Sequence, residues 1–220
     1  MFTLDKVTKS YASRRGTVHA LRDVSLAIEP HHFVTVTGPS GSGKTTLLLT
    51  LGGLIRPTSG RVMFHGTDLG SLNERRLAEY RNRSVGFVLQ SFNLIPYLSA
   101  DENVMVPMSL STDGNGDHGR RAKDLLDRLG LADRMAHLPR ELSVGEQQRV
   151  AMARALSNNP EVILADEPTG NLDPALAAEI LEILRDLNAR EGRTVIMVTH
   201  SPEAARIGTH RVHLDAGCAA

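Results

Sequence analysis

Cysteine is almost missing. The 220-residue chain holds one, Cys218, so neither an internal disulfide framework nor a cysteine-cluster metal site can be built. Net charge is missing too: 25 Lys and Arg stand against 25 Asp and Glu. That balance leaves no basic footprint for gripping a nucleic-acid backbone, and no nucleic-acid partner is expected. Long apolar runs are also absent. The greasiest stretch, 47–55, is interrupted by Thr50, Gly52 and Gly53, whereas a membrane span needs about 20 apolar residues. The opening Met1-Phe2-Thr3-Leu4-Asp5-Lys6 carries charge where a signal peptide needs its apolar segment. No internal repeat or low-complexity tract is visible. What remains is the composition of an ordinary globular protein, 41% hydrophobic, with the length of one sizeable domain and an expected cytosolic setting.

Short alternating stretches, Leu4-Asp5-Lys6-Val7 and Asp23-Val24-Ser25-Leu26-Ala27-Ile28, predict half-buried strands, the second ended by Pro30. Phe33-Val34-Thr35-Val36-Thr37 predicts a strand that runs into a glycine-rich turn and then a helix over 44–52. Arg56-Pro57-Thr58-Ser59-Gly60 reads as a turn, with strands at 61–66 and 85–89. Between 91 and 159 the strand-like runs stop. Helical spacing takes over in Ala122, Leu125, Leu126 and Leu129, and again in Val150, Ala153 and Leu156. The polar, glycine-rich Asp113-Gly114-Asn115-Gly116-Asp117-His118-Gly119 reads as a loop. Val162-Ile163-Leu164-Ala165 and Thr194-Val195-Ile196-Met197-Val198 are continuous apolar runs, as in parallel strands buried on both faces. Between them Asp173-Pro174 caps a helix with Leu176, Ile180, Ile183, Leu184 and Leu187 on one face. The expected architecture is an α/β core over 1–90 and 160–220, interrupted by a helical lobe over 91–159.

Chemistry concentrates at three places. Gly38-Pro39-Ser40-Gly41-Ser42-Gly43-Lys44-Thr45 is a complete G-x-x-x-x-G-K-S/T between a strand and a helix. Its glycines let successive N–H groups turn inward around an anion, and the helix N-terminus adds partial positive charge. Lys44 then reaches the β- and γ-phosphates and the Thr45 hydroxyl ligates Mg²⁺. The second place is the end of the 162–165 strand, where Asp166 and Glu167 follow one another. Asp166 is assigned to the metal shell and Glu167 to polarising the attacking water. The third is Leu142-Ser143-Val144-Gly145-Glu146-Gln147. Here Ser143 and Glu146 form an S-x-x-E capping box, and a serine-capped helix start also suits a phosphate contact. The nine histidines are scattered, and the adjacent His31 and His32 point to opposite faces of an expected strand, so they predict no metal site.

In this order the motifs resemble the nucleotide-binding subunit of ATP-binding cassette (ABC) transporters, over essentially the whole chain. Residues 38–45 are similar to the family's Walker A motif, 162–167 to Walker B with its catalytic glutamate, and 142–147 to the signature motif. Gln90 matches the Q-loop glutamine, Asn171-Leu172-Asp173 the D-loop, His200 the switch histidine, and Tyr11 the aromatic that stacks on adenine. The resemblance implies a P-loop NTPase core with a mainly parallel sheet, an N-terminal antiparallel β-subdomain and an inserted helical subdomain. It implies catalysis by Glu167, His200, Lys44 and Gln90, with Mg²⁺ held through Thr45, Gln90 and Asp166. ATP contacts are expected from Tyr11, Gly38, Pro39, Ser40, Gly41, Ser42, Gly43, Lys44, Thr45, Thr46, Ser143, Gly145, Glu146 and Asp173.

Finer likeness in 90–96, 146–151 and 166–173 points to the subgroup of lipoprotein-releasing, macrolide-efflux and cell-division ATPases. Implied partners are a second copy, packed head to tail on MgATP, and an integral-membrane permease. The implied location is peripheral, on the cytoplasmic face of the cell membrane. Export or extraction of lipoprotein, peptide or drug-like cargo is the leading function. The alternative is a cell-division device that drives a wall hydrolase without transport. Phe92, Leu94, Ile95, Pro96 and Tyr97 are the expected permease contacts. Three positions depart from the family pattern: Val144 for glycine, Glu146 for glutamine, and Ser201 for the aspartate common after the histidine. Val144 predicts a constrained backbone or a bulky side chain that slows closure.

Overall fold

The computed structural model describes residues 1–13, 16–111 and 116–219. The chain opens with β1 (Phe2–Ser13) and β2 (Gly16–Ile28), then β3 (Phe33–Thr37) and α1 (Lys44–Leu51). A hairpin of β4 (Ser59–Phe64) and β5 (Thr67–Asp68) follows, with α2 (Glu74–Ser84) and β6 (Val85–Val88) after it. Three helices come next: α3 (Ala100–Ser109), α4 (His118–Arg128) and α5 (Val144–Leu156). The last part is β7 (Val162–Asp166), α6 (Pro174–Ala189), β8 (Thr194–Val198), the short α7 (Pro202–Ala205), β9 (His210–Asp215) and β10 (Cys218–Ala219).

Two sheets carry this order. The first is four-stranded, β2-β1-β4-β5, and antiparallel throughout. The second is six-stranded, β10-β9-β3-β8-β7-β6, and is parallel except for the β9-β10 hairpin. The continuous apolar runs at β7 and β8 are interior strands of it: every residue of β8, and all of β7 before Asp166, is buried. α1 lies between the two sheets, and Leu47, Leu48 and Leu51 join Phe2, Leu21 and Val36 in one core. The second core runs from the other face of the parallel sheet into α3, α4 and α5, where Val104, Leu125, Leu126, Val150 and Leu156 meet. Among the described residues no helix is long and apolar enough to cross a membrane.

The structure departs from the sequence expectations at several places. β1 and β2 form a far longer arm than the two short alternating segments, because polar residues alternate on its exposed face. α2 escaped the periodicity because only Leu77 and Tyr80 of its residues are buried, although Asn73 marks its start by accepting from the Arg76 N–H at 3.0 Å. α3 was hidden by Pro107, and its Ser99/Glu102 box was the available signal. In the expected loop 113–119, residues 113–115 lie outside the described residues. His118 and Gly119 already belong to α4, which Asp117 caps through the Arg120 N–H at 2.9 Å. His31 and His32 are not on a strand. They form the turn into β3, with His31 at φ 65°, and His32 stacks on His210 at 3.6 Å between ring centroids.

The segment between β6 and α3 has almost no regular structure, yet one buried side chain organises it. Asn103 is fully buried. Its Oδ1 accepts from the Ile95 N–H at 2.8 Å, and its Nδ2 donates to the carbonyls of Ile95, Leu98 and Ser99 at 3.2, 2.9 and 3.0 Å. Removing the amide takes their side-chain partner from the Ile95 N–H and the Leu98 carbonyl, while the Ile95 and Ser99 carbonyls keep the Leu98 and Asn103 N–H groups. Asn103→Leu is therefore expected to lower the unfolding free energy by about 2–3 kcal/mol in urea titrations, although it adds apolar surface to the core. An unchanged or higher midpoint would contradict this.

Candidate functional site

The strand order β3-β8-β7-β6 sets the site. Because these strands are parallel, their carboxyl ends lie along one edge, where ligands of open α/β sheets bind. The loop after β3 is the P-loop, β8 delivers His200, β7 ends in Asp166 and Glu167, and β6 leads to Gln90. A cleft of about 420 Å³ opens there. Ser40, Gly41, Gly43, Lys44, Thr45 and Thr46 line one side, and Gln90, Glu167 and His200 the other, with Ala20 and Val198 between.

The P-loop is held open by its surroundings. Gly38 has φ 145°, and a Cβ there would sit 2.0 Å from the Leu214 carbonyl oxygen. Gly43 has φ 98°, and a Cβ would sit 2.0 Å from the Ala20 carbonyl oxygen. Only glycine fits either position. α1 then starts with no side-chain cap and no acidic residue in its first turn, so its leading N–H groups face the cleft without protein acceptors. Ser42 Oγ is buried without a partner. Lys44 is buried, and its ammonium donates to the carbonyls of Gly38 and Pro39, both at 2.8 Å. Uncapped donors, an orphan hydroxyl and a buried cation form a donor set that fits a polyphosphate.

The opposite wall is acidic. The Thr45 hydroxyl donates to Asp166 at 3.2 Å. Burial pushes the Asp166 carboxyl up; the Thr45 bond opposes this, Glu167 adds to it and Lys44 offsets it. A carboxylate that is costly to ionise beside a hydroxyl is a hard oxygen pair suited to a divalent cation. Glu167 Oε2 lies 2.8 Å from His200 Nδ1 and 3.3 Å from the His200 N–H. Glu167 is mostly buried, while His200 is exposed. The Glu167 backbone is left-handed, φ 47°, a conformation that costs a side-chain-bearing residue about 1–2 kcal/mol. Its N–H donates to the Val198 carbonyl at 3.0 Å.

Other predicted site residues lie outside this cleft. Tyr11 is on the far reach of the β1-β2 arm, half-exposed, with Lys9 Nζ 5.2 Å from its ring centroid. Ser143, Gly145 and Glu146 form the start of α5, where the Ser143 N–H donates to Glu146 at 2.8 Å and Arg134 pairs with the same carboxylate at 3.0 Å. Val144 is the first helical residue, 46% exposed and not at positive φ, so its departure from glycine imposes no backbone strain. Gly145 packs against Leu176, whose side chain would have to shift for a Cβ, 2.8 Å from its Cδ1. Asp173 caps α6, accepting from the Ala175 and Leu176 N–H groups at 3.0 and 3.1 Å.

Two contacts on α5 were invisible in the sequence, since nothing local marks them. Arg154 donates to the carbonyls of Phe92 and Asn93 at 2.5 and 2.6 Å, and both residues are left-handed, φ 57° and 50°. The clamp fixes 92–93 beside a groove that Asn93 and Arg154 help to line. The groove, about 830 Å³, is walled mainly by Leu54, Phe87, Leu89, Val106, Pro107 and Leu110, while Tyr97 is 78% exposed. The second contact joins Gln148 to Pro168.

A P-loop facing an acid pair at the carboxyl edge of a parallel sheet defines a P-loop ATPase. The profile of the family described as ABC transporter matches residues 21–170. The chain belongs to the ABC transporter family, whose cassettes hydrolyse ATP. Macrolide export ATP-binding/permease protein MacB of Syntrophobacter fumaroxidans is 48% identical over 99% of this chain, which spans only 31% of that protein. Lipoprotein-releasing system ATP-binding protein LolD 1 of Rhodopirellula baltica is 44% identical, over 99% of this chain and 95% of its own length. Among solved structures, the MJ0796 cassette of Methanocaldococcus jannaschii, described as dimeric in a post-hydrolysis state with ADP and Pi, superposes with a TM-score of 0.91. It is 41% identical and covers 100% of this chain and 96% of its own.

The capping box at the start of α5 has a pH signature. The Glu146 carboxyl is lowered from its ordinary 4.5 to about 2, first by the Ser143 N–H, then by the Ser143 hydroxyl; burial opposes them and Arg134 adds to the lowering. Its contribution to stability is present above 4.5 and lost as pH falls through 2. The difference in thermal midpoint between wild type and Glu146→Gln should therefore shrink as pH drops from about 6 to about 2. A pH-independent difference would contradict the assignment.

Proposed function

We propose that this chain is the ATP-hydrolysing subunit of a membrane transporter and works as a head-to-tail pair. In that pair the start of α5 in one chain closes over the nucleotide held by the P-loop of the other. The observation that carries this reading is the division of the predicted ATP ligands. The P-loop, Gln90, Glu167 and His200 share one cleft, whereas Ser143 and the uncovered start of α5 lie outside it. A γ-phosphate between two helix N-termini makes charge-assisted hydrogen bonds to both chains and binds them together. Its loss on hydrolysis releases them.

Within one cleft the roles divide by chemistry. The uncapped start of α1 and the Ser42 hydroxyl receive the phosphates, and Lys44 exchanges its two loop carbonyls for β- and γ-oxygens. Thr45 and Asp166, with Gln90, would hold Mg²⁺, which neutralises phosphate charge. Glu167 accepts a proton from the attacking water, and His200 contacts the γ-phosphate while positioning the Glu167 carboxylate. Tyr11 stacks on adenine, and Asp173 meets the second chain. Residues 91–159 serve as a lobe that swings with α5.

The groove walled by Leu54, Phe87 and Leu110 is the docking place of a permease helix, apolar at its centre and rimmed by Arg75, Arg81 and Arg154. The MacB relative's name, which joins ATP-binding part and permease, supports such a partner. With the LolD relative, it also supports export or extraction of lipoprotein, peptide or drug-like cargo from the cytoplasmic face of the membrane, where this chain sits peripherally. The direct test is Glu167→Gln. It should bind MgATP with near wild-type affinity, turn over at least about 100-fold more slowly, and run as a dimer in light scattering when MgATP saturates it. A species that stays monomeric with saturating MgATP would overturn the paired reading.

A further inference from the structure

We infer that Gln148 is a positioning residue for the Glu167 carboxylate, acting through the backbone of Pro168. The inference rests on the reading of Glu167 as the group that activates water. Three consecutive peptide units around Glu167 are each tied by one hydrogen bond. The Glu167 N–H donates to the Val198 carbonyl at 3.0 Å, and the Glu167 carbonyl accepts from the Gly170 N–H at 3.1 Å. The Pro168 carbonyl accepts from Gln148 Nε2 at 2.6 Å. The first two are backbone bonds that the β7-β8 ladder and a tight turn supply whatever the side chains. The third is the only one made by a side chain, and it comes from α5. These ties hold Glu167 in its left-handed conformation, which an L residue leaves readily when its neighbours are released.

Stability alone does not account for the amide. Gln148 is fully buried, and its Oε1 is buried with no partner. A half-satisfied buried amide is less stabilising than a well-packed apolar side chain of similar volume. What the amide does provide is a rigid link between α5 and the residue that follows Glu167. α5 is the helix whose exposed start is Ser143 and Val144, so the element that reaches toward a second chain is also the one that aims this chain's carboxylate.

The test compares Gln148→Met, which keeps length and volume, and Gln148→Leu with wild type. Circular dichroism checks folding, a fluorescent ATP analogue reports affinity, and steady-state assays give kcat and KM. The expected result is folded protein with unchanged MgATP affinity and KM, and a kcat lowered about tenfold or more, since an ångström of misplacement at a reacting group costs that much or more. In a Glu167→Gln background the same substitution should lower the residual rate no further, because there is no base left to aim. A kcat within twofold of wild type would overturn the inference. So would a matching loss of affinity, an equal further loss in the Glu167→Gln background, or failure of both variants to fold. Wild-type turnover by Glu167→Gln alone would instead remove the reading of Glu167 as base, and the inference with it.

Discussion

The structure depends on keeping a row of backbone N–H groups uncovered. A loop that binds phosphate must bend sharply, expose its donors and resist collapse onto them. The chain meets this by wedging the P-loop between backbone atoms of two distant strands. Gly38 is seated against the Leu214 carbonyl of β9 and Gly43 against the Ala20 carbonyl of β2, each with room for hydrogen alone. Both sheets therefore grip the loop: the parallel one through β9 and β3, the antiparallel one through β2. α1 can then begin without any cap of its own, a cost that a bound anion offsets.

Given that loop, strand order does the remaining placement. In the sequence the P-loop, Gln90, Glu167 and His200 are spread over more than half the chain. The order β3-β8-β7-β6 sets them side by side. The signature helix is the exception. α5 packs under the sheet's end through Val150, Ala153 and Leu156, yet its first turn faces outward and holds itself in shape through the Ser143-Glu146 box. Arg154 and Gln148 bind the loops after β6 and β7 to the same helix. One element thus touches the Leu54-Phe87-Leu110 groove, the loop that carries Glu167 and the exposed first turn proposed to meet a second chain.

Legibility in the sequence followed locality. The P-loop could be read because Lys44 and Thr45 stand at offsets that packing does not explain, and β7 and β8 because a run buried on two faces is almost wholly apolar. α2 could not, since Leu77 and Tyr80 are too few to set a period. β9 was missed because Arg211 and His213 alternate with Val212 and Leu214 in a stretch too short to stand out. The His31-His32 turn was misread as strand, because positive φ at a non-glycine residue leaves no compositional mark. The same holds for Glu167, Phe92 and Asn93, and for Gln148 and Arg154, whose partners are distant in sequence. Val144 shows the converse: an unusual residue at a conspicuous motif that the backbone accepts without strain.

The central claim is that one chain supplies only part of each ATP site, the P-loop and the start of α5 acting on different nucleotides. Mixing two inactive chains, Lys44→Ala and Ser143→Ala, tests this most directly. If the sites are composite, a mixed pair contains one site with both elements intact, and an equal mixture should regain up to about a quarter of wild-type ATPase activity. If each chain completes its own site, every site in the mixture remains defective. No activity would return, and the account would be contradicted.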